Sequence, residues 1–175
     1  MQHHVTKPAD KLRLRTKVAY GTGAASARLQ NGTYSTLINP IFNDVLGMDP
    51  RIIGLVVAGS RIFDAITSPV VGYLSDHTRS VFGRRRPWIA VGAVLCALAF
   101  SALWLFPRGM SMGFYVAWFI GLSLVFELCL NIFSIPYAAL GMELTPDYHE
   151  RTSVMAWRSA MAKVGGFLAS SVFLF

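Results

Sequence analysis

Charged residues are scarce in this chain: of its 175 residues, only 14% are Asp, Glu, Lys or Arg. Soluble globular domains contain about 25% of these residues. Hydrophobic residues make up 54% of the chain, and its mean hydropathy is +0.48. The shortage of charge therefore excludes an ordinary soluble domain and indicates a membrane protein.

Cysteine is also rare. Cys96 and Cys129 both lie inside apolar runs, where cysteine usually serves as a small buried side chain. Their number does not support a disulfide framework, and no cysteine spacing predicts a metal site. The sequence likewise lacks a nucleophile–base set and a phosphate-binding glycine loop, so we expect neither enzymatic activity nor a cofactor.

Acidic residues are fewer than basic ones, 9 against 16, which gives a formal net charge of +7. The basic residues are concentrated in the N-terminal tail and in the segment 79–86, and they do not follow one polar face of a helix. Clusters of this kind beside apolar runs favour a lipid bilayer with anionic headgroups as the partner, and they do not favour nucleic acid.

Five apolar segments are long enough to cross a bilayer as helices, which takes about 20 residues each. We predict an all-α, multi-pass membrane protein, because backbone polar groups in lipid must be satisfied within the segment and none of these runs alternates as barrel strands do. The predicted spans are approximately 18–45, 52–74, 88–106, 112–140 and 153–175, and they follow a basic tail at 1–17.

Lys and Arg are distributed unevenly between the two sides of these spans. The tail and the loops after the second and fourth spans hold ten of them, whereas the two opposite loops hold only Arg51 and Arg108. By the positive-inside rule, the N-terminus is cytoplasmic and the fifth span runs outward. An odd number of spans and an apolar end at Phe175 lead us to expect an incomplete chain.

Polar side chains inside the spans follow helical spacing. A charge at the bilayer centre costs roughly 2.5–3.5 kcal/mol, so such residues face a cavity or a partner. The third span carries no charge within it, which favours a peripheral position for it. Residues three or four apart lie on one side of a helix. The candidates for a solute cavity are Arg28, Asn31, Asp64, Glu127, Asn131, Ser134 and Arg158.

The charges of the second and fourth spans leave alternatives open. Arg61 and Asp64, three residues apart, can pair with each other as a structural clamp. Glu127 has no obvious local partner, so it either handles solute or protons or pairs with a cation of the fifth span.

The turn between the second and third spans contains a motif of glycine, aspartate and arginine. It consists of Gly72, Asp76, Arg79, Gly83, Arg84, Arg85 and Arg86. The motif resembles the loop signature of the major facilitator superfamily (MFS). Together with segments 61–69, 135–137 and 143–152, it makes the chain similar to the glycoside–pentoside–hexuronide:cation symporter family, the relatives of melibiose permease.

The resemblance implies an alternating-access transporter of two six-helix halves in the inner or plasma membrane. Its solute site, for a sugar or glycoside, lies between the halves, and the loop motif forms a cytoplasmic gate. This chain would supply spans one to five of the first half, and the missing C-terminal half would be its partner. The alternative is a five-helix scaffold or half-transporter module without independent transport.

Individual residues match the family pattern only in part. Asp64 matches the first of two acids on helix two of the melibiose branch, but Ser68 stands at the second. Ser134 stands where an acid precedes Ile-Pro on helix four. These differences favour a proton over sodium as the coupling cation, carried by Asp64 or Glu127.

Two further positions compare with the family in opposite ways. Arg158 matches the helix-five arginine that is linked to the sugar site. Arg28 stands at the position of an acid on helix one. The resemblance therefore implies a solute role for Arg158 and a changed charge at the first helix.

Overall fold

The computed structural model describes residues 11–105, 107 and 109–171. Within these residues the chain forms five α-helices: α1 (Leu14–Ile38), α2 (Pro50–His77), α3 (Arg86–Trp104), α4 (Met112–Glu143) and α5 (Tyr148–Ser171). A π-helical segment, Asn39–Val45, follows α1 directly and contains Pro40. The prediction of an all-α fold is confirmed.

Three of the described helices, α2, α3 and α4, are both long and apolar enough to cross a membrane. Helices α1 and α5 do not meet the same criterion, because uncharged polar residues such as Gln30 and Asn31 lower their hydropathy together with the charged Arg28 and Arg158. Their lengths of 25 and 24 residues nevertheless exceed the roughly 20 residues that a span requires.

Most of the helices extend beyond one or both ends of the predicted apolar segments, whereas α3 ends at Trp104, before the predicted end at 106. Helix α1 begins at Leu14, inside the predicted tail 1–17, and α2 continues to His77, past the predicted end at 74. Helix α5 begins at Tyr148, ahead of the predicted start at 153. Helix ends are set by capping and side-chain bonds as well as by apolarity. Residues 1–10, 106, 108 and 172–175, on which parts of the prediction fall, lie outside the described residues.

The chain divides into two compact units. One unit combines Met1–Thr36 with Ala138–Phe175, and it contains most of α1, the end of α4 and all of α5. The other unit, Leu37–Tyr137, contains the π-helical segment, α2, α3 and most of α4.

In the unit Leu37–Tyr137, α3 packs against α4 in the antiparallel direction. A Cβ atom on Gly92 would lie 2.7 Å from the backbone nitrogen of Phe133, so only glycine allows this approach. Further along α3, the rings of Phe100 and Phe126 lie 5.7 Å apart. The buried stripe of α3 has the three- and four-residue spacing of one helix face and consists of Gly92, Cys96, Ala99 and Leu103.

In the other unit, α1 and α5 pack side by side in the same direction. A Cβ atom on Gly21 would lie 2.7 Å from Met161 Cγ, and one on Gly165 would collide with the carbonyl oxygen of Ala25. Both contacts are made by glycine, so the backbones of the two helices approach closely, as small residues allow in membranes.

This packing predicts different outcomes for two adjacent glycines. We expect Gly165→Ala to lower the free energy of unfolding by about 1–3 kcal/mol, the usual cost of overpacking, because the Ala25 backbone cannot move aside easily. Gly166→Ala is the matched control: its Cβ would lie 3.7 Å from Arg28 Cγ, an ordinary contact. Thermal unfolding in detergent should separate the two variants, and equal melting temperatures would contradict the packing.

Candidate functional site

The clearest polar cluster in the unit Leu37–Tyr137 lies between α2 and α4. Helix α2 contributes Arg61, Asp64, Thr67 and Ser68, and helix α4 contributes Glu127 and Asn131. The contacts advance together along both helices, so α2 and α4 run in the same direction. The predicted topology also has the second and fourth spans, which correspond to α2 and α4, running in the same direction.

Arg61 and Glu127 form an ion pair across the two helices. Arg61 Nη1 donates to Glu127 Oε1 at 3.2 Å. The side chain of Glu127 is only 10% exposed, whereas that of Arg61 is 60% exposed. Glu127 therefore has its partner on α2. Arg61 makes its ion pair with Glu127 of the neighbouring helix, whereas spacing alone allowed a pair with Asp64 of the same helix.

Asp64 is held by uncharged donors. Its Oδ1 atom accepts hydrogen bonds from Asn131 Nδ2 at 2.8 Å and from Ser68 Oγ at 2.9 Å. Asn131 Nδ2 also donates to Thr67 Oγ1 at 3.0 Å. These bonds fix the carboxylate in place, and within the described part of the chain they come from uncharged groups.

The cluster contains two carboxylates and one guanidinium. With Asp64 and Glu127 ionised and Arg61 protonated, its formal charge is −1, and the cluster lies within two helices that are apolar enough to span a membrane. An uncompensated charge in a span costs roughly 2.5–3.5 kcal/mol on the insertion scale. One bound cation would balance the cluster, and among the described residues the partners of Asp64 are the uncharged donors Asn131 and Ser68.

The loop motif is also built around one acid–arginine contact. Asp76 Oδ1 accepts from Arg85 Nη2 at 2.8 Å and from Arg85 Nε at 3.2 Å. Gly83 has a φ of +95°, in the left-handed region that favours glycine. This conformation contributes to the tight turn that separates the two partners. The contact ties the end of α2 to the start of α3.

The other motif residues lie around this contact. Gly72 faces α4, where a Cβ atom would lie 3.8 Å from Ile135 Cγ2. The remaining three arginines of the motif are exposed, namely Arg79, Arg84 and Arg86.

The remaining predicted cavity residues are distributed over both units. Ser134 is half-buried on α4 in the unit Leu37–Tyr137. Arg28, Asn31 and Arg158 belong to the other unit. There Arg28 is exposed on α1, with its side-chain stem beside Gly166 of α5, whereas Asn31 and Arg158 are half-buried. The structure thus brings Asp64, Glu127 and Asn131 together in one cluster.

A second ion pair, not predicted from the sequence, joins the starts of α1 and α5. Lys17 Nζ lies 2.7 Å from Glu150 Oε1 and donates to Ser153 Oγ at 2.9 Å. The backbone N–H of Leu12 also donates to Glu150 Oε1, at 2.8 Å. Lys17 and Glu150 are both buried. The only sequence signal for this pair was that each residue stands at the cytoplasmic edge of a predicted span.

The contacts of Glu150 predict a dependence on pH. The hydrogen bond from Lys17 is the main cause that lowers the pKa of the Glu150 carboxyl; burial opposes it, and the Leu12 N–H supports it. The ionised Glu150 carboxylate therefore contributes fully to the free energy of unfolding above the unfolded-chain pKa of about 4.3. This contribution is lost as the pH falls through the lower pKa of the folded state.

We accordingly expect Glu150→Gln to weaken the attachment of the segment around Leu12 at neutral pH. Hydrogen–deuterium exchange of peptides that contain Leu12, corrected for intrinsic rates, should be faster in this variant and should lose its acid-induced increase. Glu143→Gln, which changes an acid at the end of α4, is the control and should leave exchange at Leu12 unchanged. Equal exchange in Glu150→Gln and the unaltered protein would contradict this role.

An apolar groove of about 500 Å³ lies between α2 and α4. It is lined by Leu55, Gly59, Ile62, Phe63, Ile120 and Leu124, among others. The α2 residues of this groove lie on a different side of the helix from Arg61 and Ser68, as helical spacing requires. On α4, Ile120 and Leu124 precede Glu127 by seven and three residues and share its face, so the groove adjoins the charged cluster along that helix.

The sequence missed one residue of the cluster and left the partner of another open. Thr67 accepts from Asn131, and its position three residues after Asp64 was a usable signal. Arg61 binds Glu127, which spacing within one helix cannot indicate. In the described part of the chain, no group of three or more His, Cys, Asp or Glu side chains could hold a metal ion.

Comparison with known proteins gives a consistent result. A family described as MFS/sugar transport protein matches residues 19–175. The chain is 35% identical over 169 residues to the uncharacterized symporter sll1374 of Synechocystis, covering 94% of this chain and 31% of the relative. It is 32% identical over 166 residues to the inner membrane symporter YicJ of Escherichia coli, covering 93% and 35%.

A third relative is named for a lipid solute. The sphingosine-1-phosphate transporter MFSD2B of Mus musculus is 29% identical over 163 residues, covering 93% of this chain and 33% of the relative. The chain therefore spans about a third of the length of the curated relatives that it matches.

Proposed function

Because this chain belongs to the MFS/sugar transport protein family, we propose that it works as part of a secondary active transporter that couples a small solute to a cation. It is a multi-pass protein of the cell membrane. The partner in this proposal is a second half of the same transporter, and alternating access moves the solute. Transport leaves the solute chemically unchanged, so we infer no enzymatic role.

The observation that carries this proposal is the imbalance of charge in the α2–α4 cluster. Arg61 already neutralises Glu127, with which it makes a 3.2 Å contact. Asp64 accepts from Asn131 and Ser68, which are its uncharged donors among the described residues. A cation that binds Asp64 would bring the cluster to zero net charge, and its release would restore the charge. Because the cluster is neutral with the cation bound and charged without it, the cation can favour one conformation of the transporter over the other. Such a difference in affinity between conformations is the requirement for coupling.

We infer that the cation is a proton. A proton needs only one carboxylate oxygen, whereas a metal cation needs several oxygen ligands at once. Ser68 and Ser134 stand where the melibiose branch, which this chain resembles, carries additional acids, so Asp64 is the acid of that pattern that this chain keeps in the cluster. Arg28, Asn31, Ser134 and Arg158 are the remaining candidates for contact with solute, and Asp76 with Arg85 is the candidate gate contact.

A sugar or glycoside is the first candidate solute, supported by the description of the matched family. A lysolipid-like amphiphile is the second. The apolar groove beside the charged cluster, with its volume of about 500 Å³, favours this second class because an acyl chain needs an apolar surface.

The proposal is tested by reconstituting the intact gene product in proteoliposomes. Uptake of monosaccharides, disaccharides, uronides and lysolipids should be measured with an imposed proton gradient, with a sodium gradient and with neither. We expect one class to accumulate with the proton gradient and to lose accumulation when a protonophore is added. Absence of uptake for every class under all conditions would favour the scaffold alternative.

A further inference from the structure

Arg61 is the exposed member of the ion pair between α2 and α4. Its side chain is 60% exposed, whereas the side chain of Glu127 is 10% exposed. The pair therefore presents its positive end to its surroundings and keeps its negative end among packed side chains. We propose, resting on the transporter function inferred above, that Arg61 determines solute specificity by binding a carboxylate or phosphate of the solute, which is therefore an anion.

The guanidinium of Arg61 has donors available for such a group. A guanidinium carries its N–H donors in a planar fork that fits two anionic oxygens. In the described part of the chain, Arg61 makes its ion pair through Nη1, at 3.2 Å from Glu127 Oε1. Arg85 shows the opposite arrangement, because its Nε and Nη2 both donate to Asp76 and its side chain is only 12% exposed. Arg85 is thus enclosed by its contact, whereas Arg61 is held on one side and open on the other.

The depth of Arg61 in its helix requires polar surroundings for its open side. Helix α2 has 28 residues and is apolar enough to span a membrane, and Arg61 stands eleven residues after its start at Pro50. A guanidinium at such a depth is costly in lipid, so its exposed side faces an aqueous cavity. An anionic solute that enters this cavity meets the exposed guanidinium rather than the buried Glu127 carboxylate.

Asp64 gives a physical reason why an anion suits coupling to a proton. Asp64 follows Arg61 by three residues, so both stand on one side of α2. In the described residues of this unit, the charged groups around Asp64 are Arg61 on its own helix and Glu127 on α4. An ionised Asp64 repels an anion that is held by Arg61, and a proton on Asp64 removes this repulsion. Proton and anion then increase each other's affinity by the same factor, which couples their movement.

The test uses the intact gene product in proteoliposomes and matched pairs of neutral and anionic solutes. The pairs are methyl glucoside with methyl glucuronide, glucose with glucose 6-phosphate, and monoacylglycerol with lysophosphatidic acid. We expect the anionic member of one pair to be exchanged with the lower KM, and the pair concerned distinguishes a carboxylate from a phosphate.

The pH dependence of exchange tests the role of Asp64 in anion binding. With equal pH on both sides, the KM for the anionic solute should rise from mildly acidic to mildly alkaline pH, because Asp64 loses its proton and repels the anion. In Asp64→Asn the KM should stay at the value that the unaltered protein has at acidic pH. A KM for the anion that is independent of pH in the unaltered protein would contradict this step.

The double variant Arg61→Gln with Glu127→Gln tests Arg61 without leaving Glu127 unpaired. Its preference for the anionic over the neutral solute should fall about tenfold, the loss expected for one hydrogen bond between charged groups. Arg61→Lys keeps the charge without the planar fork and should lose less of the preference. Arg51→Gln is the matched control, because it removes an exposed arginine at the start of α2 and should keep the preference.

The remaining outcomes separate this inference from the proposed function. Proton-driven accumulation of a neutral solute without preference for its anionic counterpart would overturn the inference and leave the proposed function standing. A preference for the anion that the double variant retains would assign recognition to another residue and would also overturn it. Absence of uptake for all pairs would contradict the transporter proposal and this inference with it.

Discussion

Asp64→Asn is expected to abolish gradient-driven accumulation of solute in proteoliposomes, while exchange of solute between the two sides continues. The reason is that, in the part of the chain that the structure describes, Arg61 pairs with Glu127 while Asp64 accepts hydrogen bonds from uncharged donors. Asparagine keeps the shape and can still accept from Asn131, but it cannot bind a proton. Accumulation should fall to the level of vesicles without protein, whereas exchange reports that the variant is folded and binds solute.

Two control variants make this result specific. Asp44→Asn removes an exposed acid outside the cluster and should leave accumulation unchanged. Ser68→Ala removes one donor to Asp64 without removing the charge, so it should weaken coupling less than Asp64→Asn. Accumulation that persists in Asp64→Asn would show that this residue is not required for coupling. Glu127 would then be the remaining candidate for the coupling residue.

Arg61→Gln is expected to lower the free energy of unfolding by about 1–3 kcal/mol, the cost of leaving a buried group without its partner. Glu127 would bear this cost because its side chain is 10% exposed. Glu127→Gln should cost less, because Arg61 is 60% exposed and water can replace the lost contact. The double variant Arg61→Gln with Glu127→Gln should recover much of the loss, since neither side chain is then charged.

Thermal unfolding in detergent of the four proteins in this cycle would measure the coupling between Arg61 and Glu127. Additive losses in the double variant would contradict a direct interaction. Transport assays on the same proteins distinguish a structural role of Glu127 from a role in coupling. If Glu127 only neutralises Arg61, the double variant should retain proton-driven accumulation. Its loss in a stable double variant would assign Glu127 to the coupling step.

The α-helical segments could be predicted from the sequence because the signals for them are local. Apolar runs and the absence of alternation define helices, and the three- and four-residue spacing places Asp64 with Ser68 and Glu127 with Asn131 on helix faces. The motif around Asp76 and Gly83 pointed to the family that the comparison then showed. Family membership and fold class thus followed from residues close together in the chain.

The partners across helices were decided by tertiary structure alone. Spacing allowed Arg61 to pair with Asp64, yet Arg61 binds Glu127, 66 residues away. Likewise, Lys17 and Glu150 meet only because α1 and α5 lie side by side in the same direction. Helical periodicity defines which side chains share a face of one helix, but not which faces meet. That choice depends on how closely backbones can approach, as they do at Gly92 and Gly165.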